Sequence, residues 1–259
     1  MSGPDPTTRF SGRAADYVKT RPSYPKGVLE LLHRTCGLDT GQAVADLGSG
    51  TGIFTGILLE SGATVHGVEP NADMRAAAEA MLGQERGFRS VAGRAEATTL
   101  PDGSIDLVTA AQAFHWFDLD GARTEMQRIL RHSTPTTSNV ALVWNDRDLG
   151  STPFLRDYEA LLLTRCPRYG ELQGKADSVD KFDALLGKGR WKRQTVPNEQ
   201  RLDREGLVGR LLSSSYSPRA GDAGHDETFA ELREIFDRHA QAGEVTMLYS
   251  TVLITGRPA

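Results

Sequence analysis

Cysteine is scarce: Cys36 and Cys166 are the only two in 259 residues, and they form no CxxC pair. A disulfide-stapled scaffold is therefore excluded, and the pair fits a reducing compartment. Charge of one sign is not in surplus either, with 30 Lys+Arg against 34 Asp+Glu and a formal net charge of −4. A protein that grips long nucleic acid usually carries a basic excess, so no nucleic-acid partner is expected. No run of about 20 apolar residues occurs, so no membrane partner is expected. Internal repeats are missing, and the Ser/Thr cluster at 133–138 is the longest biased tract. The opening ten residues lack the basic start and apolar run of a signal peptide. They are expected to be a short disordered tail, and the protein to be cytoplasmic.

What is present is ordinary globular material, 39% hydrophobic and 25% charged, with 27 glycines. A chain this long can hide roughly three-quarters of its unfolded surface within a single α/β unit. Apolar strand-like runs at Ala43–Leu47, Ala63–Val68, Phe88–Val91, Ile105–Ala110 and Asn139–Trp144 alternate with helical stretches at 53–60, 71–82 and 119–131. That alternation predicts a mostly parallel sheet covered on both faces. Lys26–Cys36 reads as an earlier helix closed by Gly37. Further on, helices are expected at Phe154–Thr164, Arg204–Ser215 and Glu227–Ala240, with 166–190 loop-rich and 190–202 extended. The β-branched run Glu244–Ile254 reads as a final strand.

The most informative stretch is Val44-Ala-Asp-Leu-Gly-Ser-Gly-Thr-Gly52, a strand that ends in alternating glycines and opens a helix. Such glycines allow positive φ and let a ligand lie on bare backbone, with the unpaired N–H groups of a helix start just beyond. Glu69 ends the next strand, where a carboxylate can accept from two ribose hydroxyls. The features together describe a nucleoside-like ligand at the carboxyl edge of the sheet. A dinucleotide fingerprint would need glycine where Ile53 stands, and no P-loop sequence occurs. Asp46, just before the loop, would repel a phosphate but help an ammonium group.

Val44–Gly52, Gly67–Pro70, Gly93–Glu96, Pro101–Val108 and Ala111–Trp116, in this order, resemble the class I S-adenosylmethionine-dependent methyltransferases. Within them the chain is most similar to the small-molecule branch that includes trans-aconitate methyltransferase-like enzymes. The resemblance implies a Rossmann-like sheet of seven strands in the order 3-2-1-4-5-7-6, mostly parallel, with residues 245–255 as the antiparallel C-terminal strand and helices on both faces. It implies one domain over 1–259. Residues 1–37 would form an arm or lid, 38–146 the cofactor core, 147–202 a substrate-side insertion, and 203–259 the last helices and strand.

Carried over residue by residue, the resemblance puts Asp46, Gly48, Ser49, Gly50 and Gly52 around the methionine part of S-adenosyl-L-methionine. Glu69 would hold the ribose, and Pro70 and Met74 would lie near the adenine. The family's acid before Ala95 is replaced here by Arg94, so Ala95 would offer its backbone and Glu96 would approach the adenine or form a surface salt bridge. Ala111 and Gln112 would face the cofactor, with His115 and Trp116 at the mouth of the acceptor pocket. Tyr17, Arg21 and Tyr24 would form the lid. His115 is the one obvious base if the acceptor needs one; otherwise it is a structural histidine between aromatics. The other five histidines show no metal-ligand spacing, so no metal is expected.

Residues 181–210 carry eight Lys/Arg, Arg210 among them, against four acids. This is either a solvated face or a field that attracts an anionic acceptor. The reading is methyl transfer to an oxygen, carboxylate or hydroxyl, of a small molecule, leaving S-adenosyl-L-homocysteine. A nicotinamide-dependent oxidoreductase, a non-catalytic S-adenosylmethionine-binding protein and an RNA methyltransferase stand as alternatives. The sequence sets no oligomeric state.

Overall fold

A computed structural model describes residues 20–131, 139–172 and 178–259. Tyr17 and the Ser/Thr cluster lie outside them. Seven strands form one sheet in the order β3-β2-β1-β4-β5-β7-β6. They are β1 (Ala43–Leu47), β2 (Thr64–Val68), β3 (Phe88–Val91), β4 (Leu107–Ala111), β5 (Val140–Arg147), β6 (Lys192–Leu202) and β7 (Val245–Gly256). β1 pairs in parallel with β2 and β4, β2 with β3, and β4 with β5. β7 runs antiparallel between β5 and β6, with Val140 opposite Gly256 and Leu202 opposite Val245. The expected order and the reversed final strand are both present.

Period-two alternation decides which helix meets which face. Val44, Val65, Leu107, Ala141 and Leu253 pack on one face with Val28 and Leu32 of α1 (Gly27–Cys36) and Phe54 and Leu58 of α2 (Ile53–Leu59). Their neighbours Ala45, Val108, Leu142 and Ile254 pack on the other with Met126 and Ile129 of α4 (Leu119–Ile129). α3 (Ala72–Leu82) starts at Asn71, whose side chain accepts from the Met74 N–H at 3.0 Å.

A third cluster lies on the longer strands. Phe154 and Leu162 of α5 (Pro153–Arg165), Leu207 and Leu211 of α8 (Arg204–Leu212), and Phe229, Leu232 and Phe236 of α9 (His225–His239) enclose Met247 and Tyr249 of β7. Residues 166–190 depart from the loop expectation, because α6 (Pro167–Leu172) and α7 (Val179–Leu186) lie there. α7 is only eight residues long, but Phe182, Leu185 and Leu186 share one buried face against α4 and the sheet. Its apolar spacing is too short to stand out from a polar stretch.

Candidate active site

The first turn of the site follows from two glycines. Gly48 has φ +67°, and a Cβ there would come within 2.5 Å of the Ala113 side chain. Gly50 has φ +57°, and a Cβ would project into open space. That space is a cavity lined by Gly48, Ser49, Gly50, Glu69, Pro70 and Met74 on the β1–β2 side. Bare backbone therefore faces a ligand-sized opening beside a helix start.

Glu69 is 8% exposed, and its two carboxylate oxygens are each held by a backbone donor. The Gly50 N–H donates to Oε2 at 3.0 Å and the Asn71 N–H to Oε1 at 2.9 Å. Burial pushes its pKa up; these two bonds and the Arg75 guanidinium oppose that rise. Each oxygen keeps acceptor capacity for a further donor. The residue is thus more than a strand-tip acid, since it ties the glycine loop to the start of α3.

Asp46 is fully buried, and burial pushes its pKa up to about 6. Thr55 Oγ1 donates to Oδ2 at 2.7 Å and Thr109 Oγ1 to Oδ1 at 2.8 Å. These neutral hydroxyls only partly offset the burial, so a cation in the adjoining cavity would favour the ionised form.

Ala95, Glu96, Ala111, Gln112 and Trp116 also line the cavity, as do Arg21 and Tyr24 of the N-terminal segment. Glu96 is already engaged: its Oε1 accepts the Asp118 N–H at 2.9 Å, and its Oε2 lies 3.5 Å from Arg94 Nε. The salt-bridge alternative is therefore present, in a residue that also lines the cavity. Gln112 has φ +56°, a costly value for a residue with a side chain, and its N–H donates to the Val143 carbonyl at 2.8 Å. Tyr24 sits edge-on to Phe54, with ring centroids 4.8 Å apart. The Arg21 guanidinium donates to the Ser213 carbonyl at 2.7 Å, which fastens the arm beside the end of α8.

Two expected site residues stand apart from this lining. Gly52 (φ +86°) begins α2, where a Cβ would reach the Leu82 side chain at 2.8 Å, so its place is in packing. His115 lies in a short 3₁₀ turn, Phe114–Trp116, with its ring 4.6 Å from that of Trp116. It does not belong to the described residues that line the cavity.

Sequence reasoning did not single out Phe54, Phe117 and Asn145 for the site, and it named Arg210 only within a basic stretch. All four line the cavity. Arg210 carried a usable signal: it shares a helical face with Leu207 and Leu211, where a charge is out of place. Among the described residues no three His, Cys, Asp or Glu side chains are grouped to hold a metal. No helix among them is long and apolar enough to cross a membrane.

Comparison with known proteins agrees with this geometry. A methyltransferase-domain family model matches residues 45–134. An uncharacterized methyltransferase-like protein of Schizosaccharomyces pombe is 33% identical over 254 residues, covering 94% of this chain and 93% of its own. An uncharacterized methyltransferase of Mycobacterium tuberculosis is 36% identical over 144 residues; that match spans 56% of this chain and about half of the relative, 55%. A solved structure provisionally described as a type II methyltransferase from Anaeromyxobacter dehalogenans superposes with a TM-score of 0.65 at 24% identity, covering 92% of this chain and 97% of that one. Phosphoethanolamine N-methyltransferase 2 of Haemonchus contortus, solved with S-adenosyl-L-methionine, gives a TM-score of 0.55 at 16% identity, covering 100% of this chain and 61% of that one. Identities this low establish shared fold alone. The near full-length fungal relative and the family match set aside the nicotinamide alternative, and the chain belongs to the class I S-adenosylmethionine-dependent methyltransferases.

Proposed function

We propose that this protein methylates an oxygen of a small, anionic acceptor, and that the reaction takes place in the one cavity that holds Glu69 at one end and Arg210 at the other. The observation that carries this reading is that shared lining. Counting across β2, β1, β4 and β5, the cavity crosses three strand spacings, about 14 Å. That span accommodates a nucleoside at the β2 side and an acceptor at the β5 side.

The residues present fit S-adenosyl-L-methionine. Glu69 would accept the ribose hydroxyls, Asp46 and the Gly48–Gly50 backbone would hold the amino-acid part, and Pro70, Met74, Ala95 and Glu96 would surround the adenine. When bound, the cofactor supplies a methyl group already activated on a sulfonium. The chain's work is then positioning, and orientation alone can contribute up to roughly 7–11 kcal/mol in favourable cases. Tyr24 and Trp116 offer aromatic faces to a cation, each worth about 0.5–2 kcal/mol. Ala111 and the strained Gln112 backbone complete the floor between the two ends.

A carboxylate acceptor needs no base, whereas a hydroxyl does. Because His115 stands outside the lining, the carboxylate is favoured. The fold does not choose between acceptors, since the Haemonchus neighbour is named for an N-methyl transfer. Labelled-methyl incorporation across small carboxylic acids, alcohols and amines tests the proposal. Label in a base-labile ester of an acid is the expected result, and label in amines alone would contradict it.

A further inference from the structure

Among the described residues, Arg147 at the end of β5 and Arg210 of α8 have buried guanidiniums, and only Arg147 is paired with a carboxylate. Arg147, 10% exposed in its side chain, donates from Nη2 to Glu159 Oε2 at 2.8 Å. Its guanidinium also stands over the rings of Tyr158 and Tyr169, 5.1 and 5.5 Å from their centroids. Arg210, 7% exposed, has neutral partners only: Nη1 donates to Ser214 Oγ at 3.1 Å and Nε to Tyr249 Oη at 3.4 Å. Among the described residues no carboxylate lies within ion-pair distance of it.

A buried charge with hydroxyl partners alone is costly to keep. Its effect on the surroundings is visible at Tyr216. Burial would raise that phenol's pKa, yet Arg147 and Arg210 together pull it below its ordinary value. This charge, without a carboxylate partner among the described residues, is also not sealed away, because Arg210 lines the same cavity as Glu69 and Gly50.

We propose that Arg210 determines specificity at the acceptor end of this cavity, its buried guanidinium binding a carboxylate group of the acceptor. One unpaired positive charge asks for one negative charge, and the planar fork of a guanidinium matches a planar carboxylate. The proposal rests on the transferase reading above for the word acceptor; the anion subsite itself does not depend on it.

The test uses formate, acetate and benzoate, each against its amide, titrated calorimetrically into the full chain with and without S-adenosylhomocysteine. Wild type is expected to prefer at least one acid over its amide by about tenfold or more, the lower end of the range for a charge-assisted pair. Arg210→Met should bring that preference within about threefold, and Arg210→Lys should restore part of it. Lys188→Met, an exposed change in the same basic stretch, should leave it intact. S-adenosylhomocysteine affinity should stay within about threefold throughout. If Arg210→Met fails to fold, folded Arg210→Lys, which keeps the charge without the fork, is read in its place: a preference clearly below that of wild type supports the site. No acid preferred over its amide in wild type, or a preference unchanged in Arg210→Met or, where that variant does not fold, in Arg210→Lys, overturns it. An Arg210-dependent preference in a protein that binds no S-adenosylhomocysteine would support the subsite and overturn the transferase reading instead.

Discussion

The two ends of the cavity are built by different physics. On the β1–β2 side the acids are settled within the backbone: Glu69 receives N–H donors from the glycine loop and the α3 cap, and Asp46 receives two threonine hydroxyls. On the β5–β7 side the polar groups include buried cations, with Arg147, Glu159 and Tyr169 joined in one buried cluster and Arg210 left, among the described residues, with hydroxyls. The first arrangement is set at strand ends, around the glycine loop and the start of α3. The second depends on how helices pack, and it can be altered without touching the first.

If the ends are separable, damage to one should not spread. The largest expected effect is on stability at the far end. Glu159→Ala leaves the Arg147 charge buried and unpaired and should cost about 3–5 kcal/mol in denaturant unfolding. S-adenosylhomocysteine affinity of the folded variant should stay within about twofold. A variant as stable as wild type would show that the pair does not brace this half.

Next comes the clamp itself. Glu69→Ala removes the two proposed ribose acceptors and releases the Gly50 and Asn71 N–H groups, and it should weaken S-adenosylhomocysteine by about 2–3 kcal/mol, or roughly 30–150-fold. Calorimetry reads this directly. Glu69→Gln should lose less, since it keeps one carbonyl acceptor. Because the carboxylate also ties down the loop, a drop in unfolding stability should accompany the loss of affinity.

A smaller effect is expected with pH. The Asp46 pKa is raised by burial to about 6, so the group is largely protonated below that pH and ionised above it. A ligand ammonium favours the ionised form, so S-adenosylhomocysteine affinity should fall with decreasing pH below about 6, approaching tenfold per pH unit. It should be flat above about 7, and Asp46→Asn should remove most of the slope. The same sign makes the ionised carboxylate a stability cost. The stability it allows is full below the ordinary carboxylate range and is lost as pH rises through about 6.

Smallest of all are the changes outside the lining. Glu60→Ala, an exposed position just after α2, should leave S-adenosylhomocysteine affinity within about twofold, because surface changes rarely exceed ~0.5 kcal/mol. His115→Ala, at a half-buried position outside the lining, should do the same. A large loss in His115→Ala would move the acceptor pocket towards the 3₁₀ turn.

Legibility in the sequence followed the same division. The alternation of strands with helices and the glycine loop were readable because each rests on local pattern: alternating apolar residues, glycines at strand ends, Asn71 before an alanine-rich helix. The strand order came only with the family resemblance. The place of Glu69 at the cavity was readable from its position after β2, but its bond to the Gly50 N–H was not, since that contact spans 19 positions and needs the fold. α7 was missed because two turns of helix give little periodicity. Arg210 is marked only by its place on the apolar face of α8, and its contact with Tyr249, 39 residues away, forms only when α8 packs on β7. His115 was singled out for its chemistry and neighbours, whereas the turn that carries it sets the ring against Trp116.

The central claim is that the Glu69 end receives a nucleoside without a pyrophosphate. Calorimetric titration of the wild-type protein with S-adenosylhomocysteine and with NADH, each alone and in competition, addresses it most directly. Saturable one-to-one binding of S-adenosylhomocysteine that NADH does not displace is the result the structure predicts; NADH binding in its place, or displacement by NADH, would contradict it.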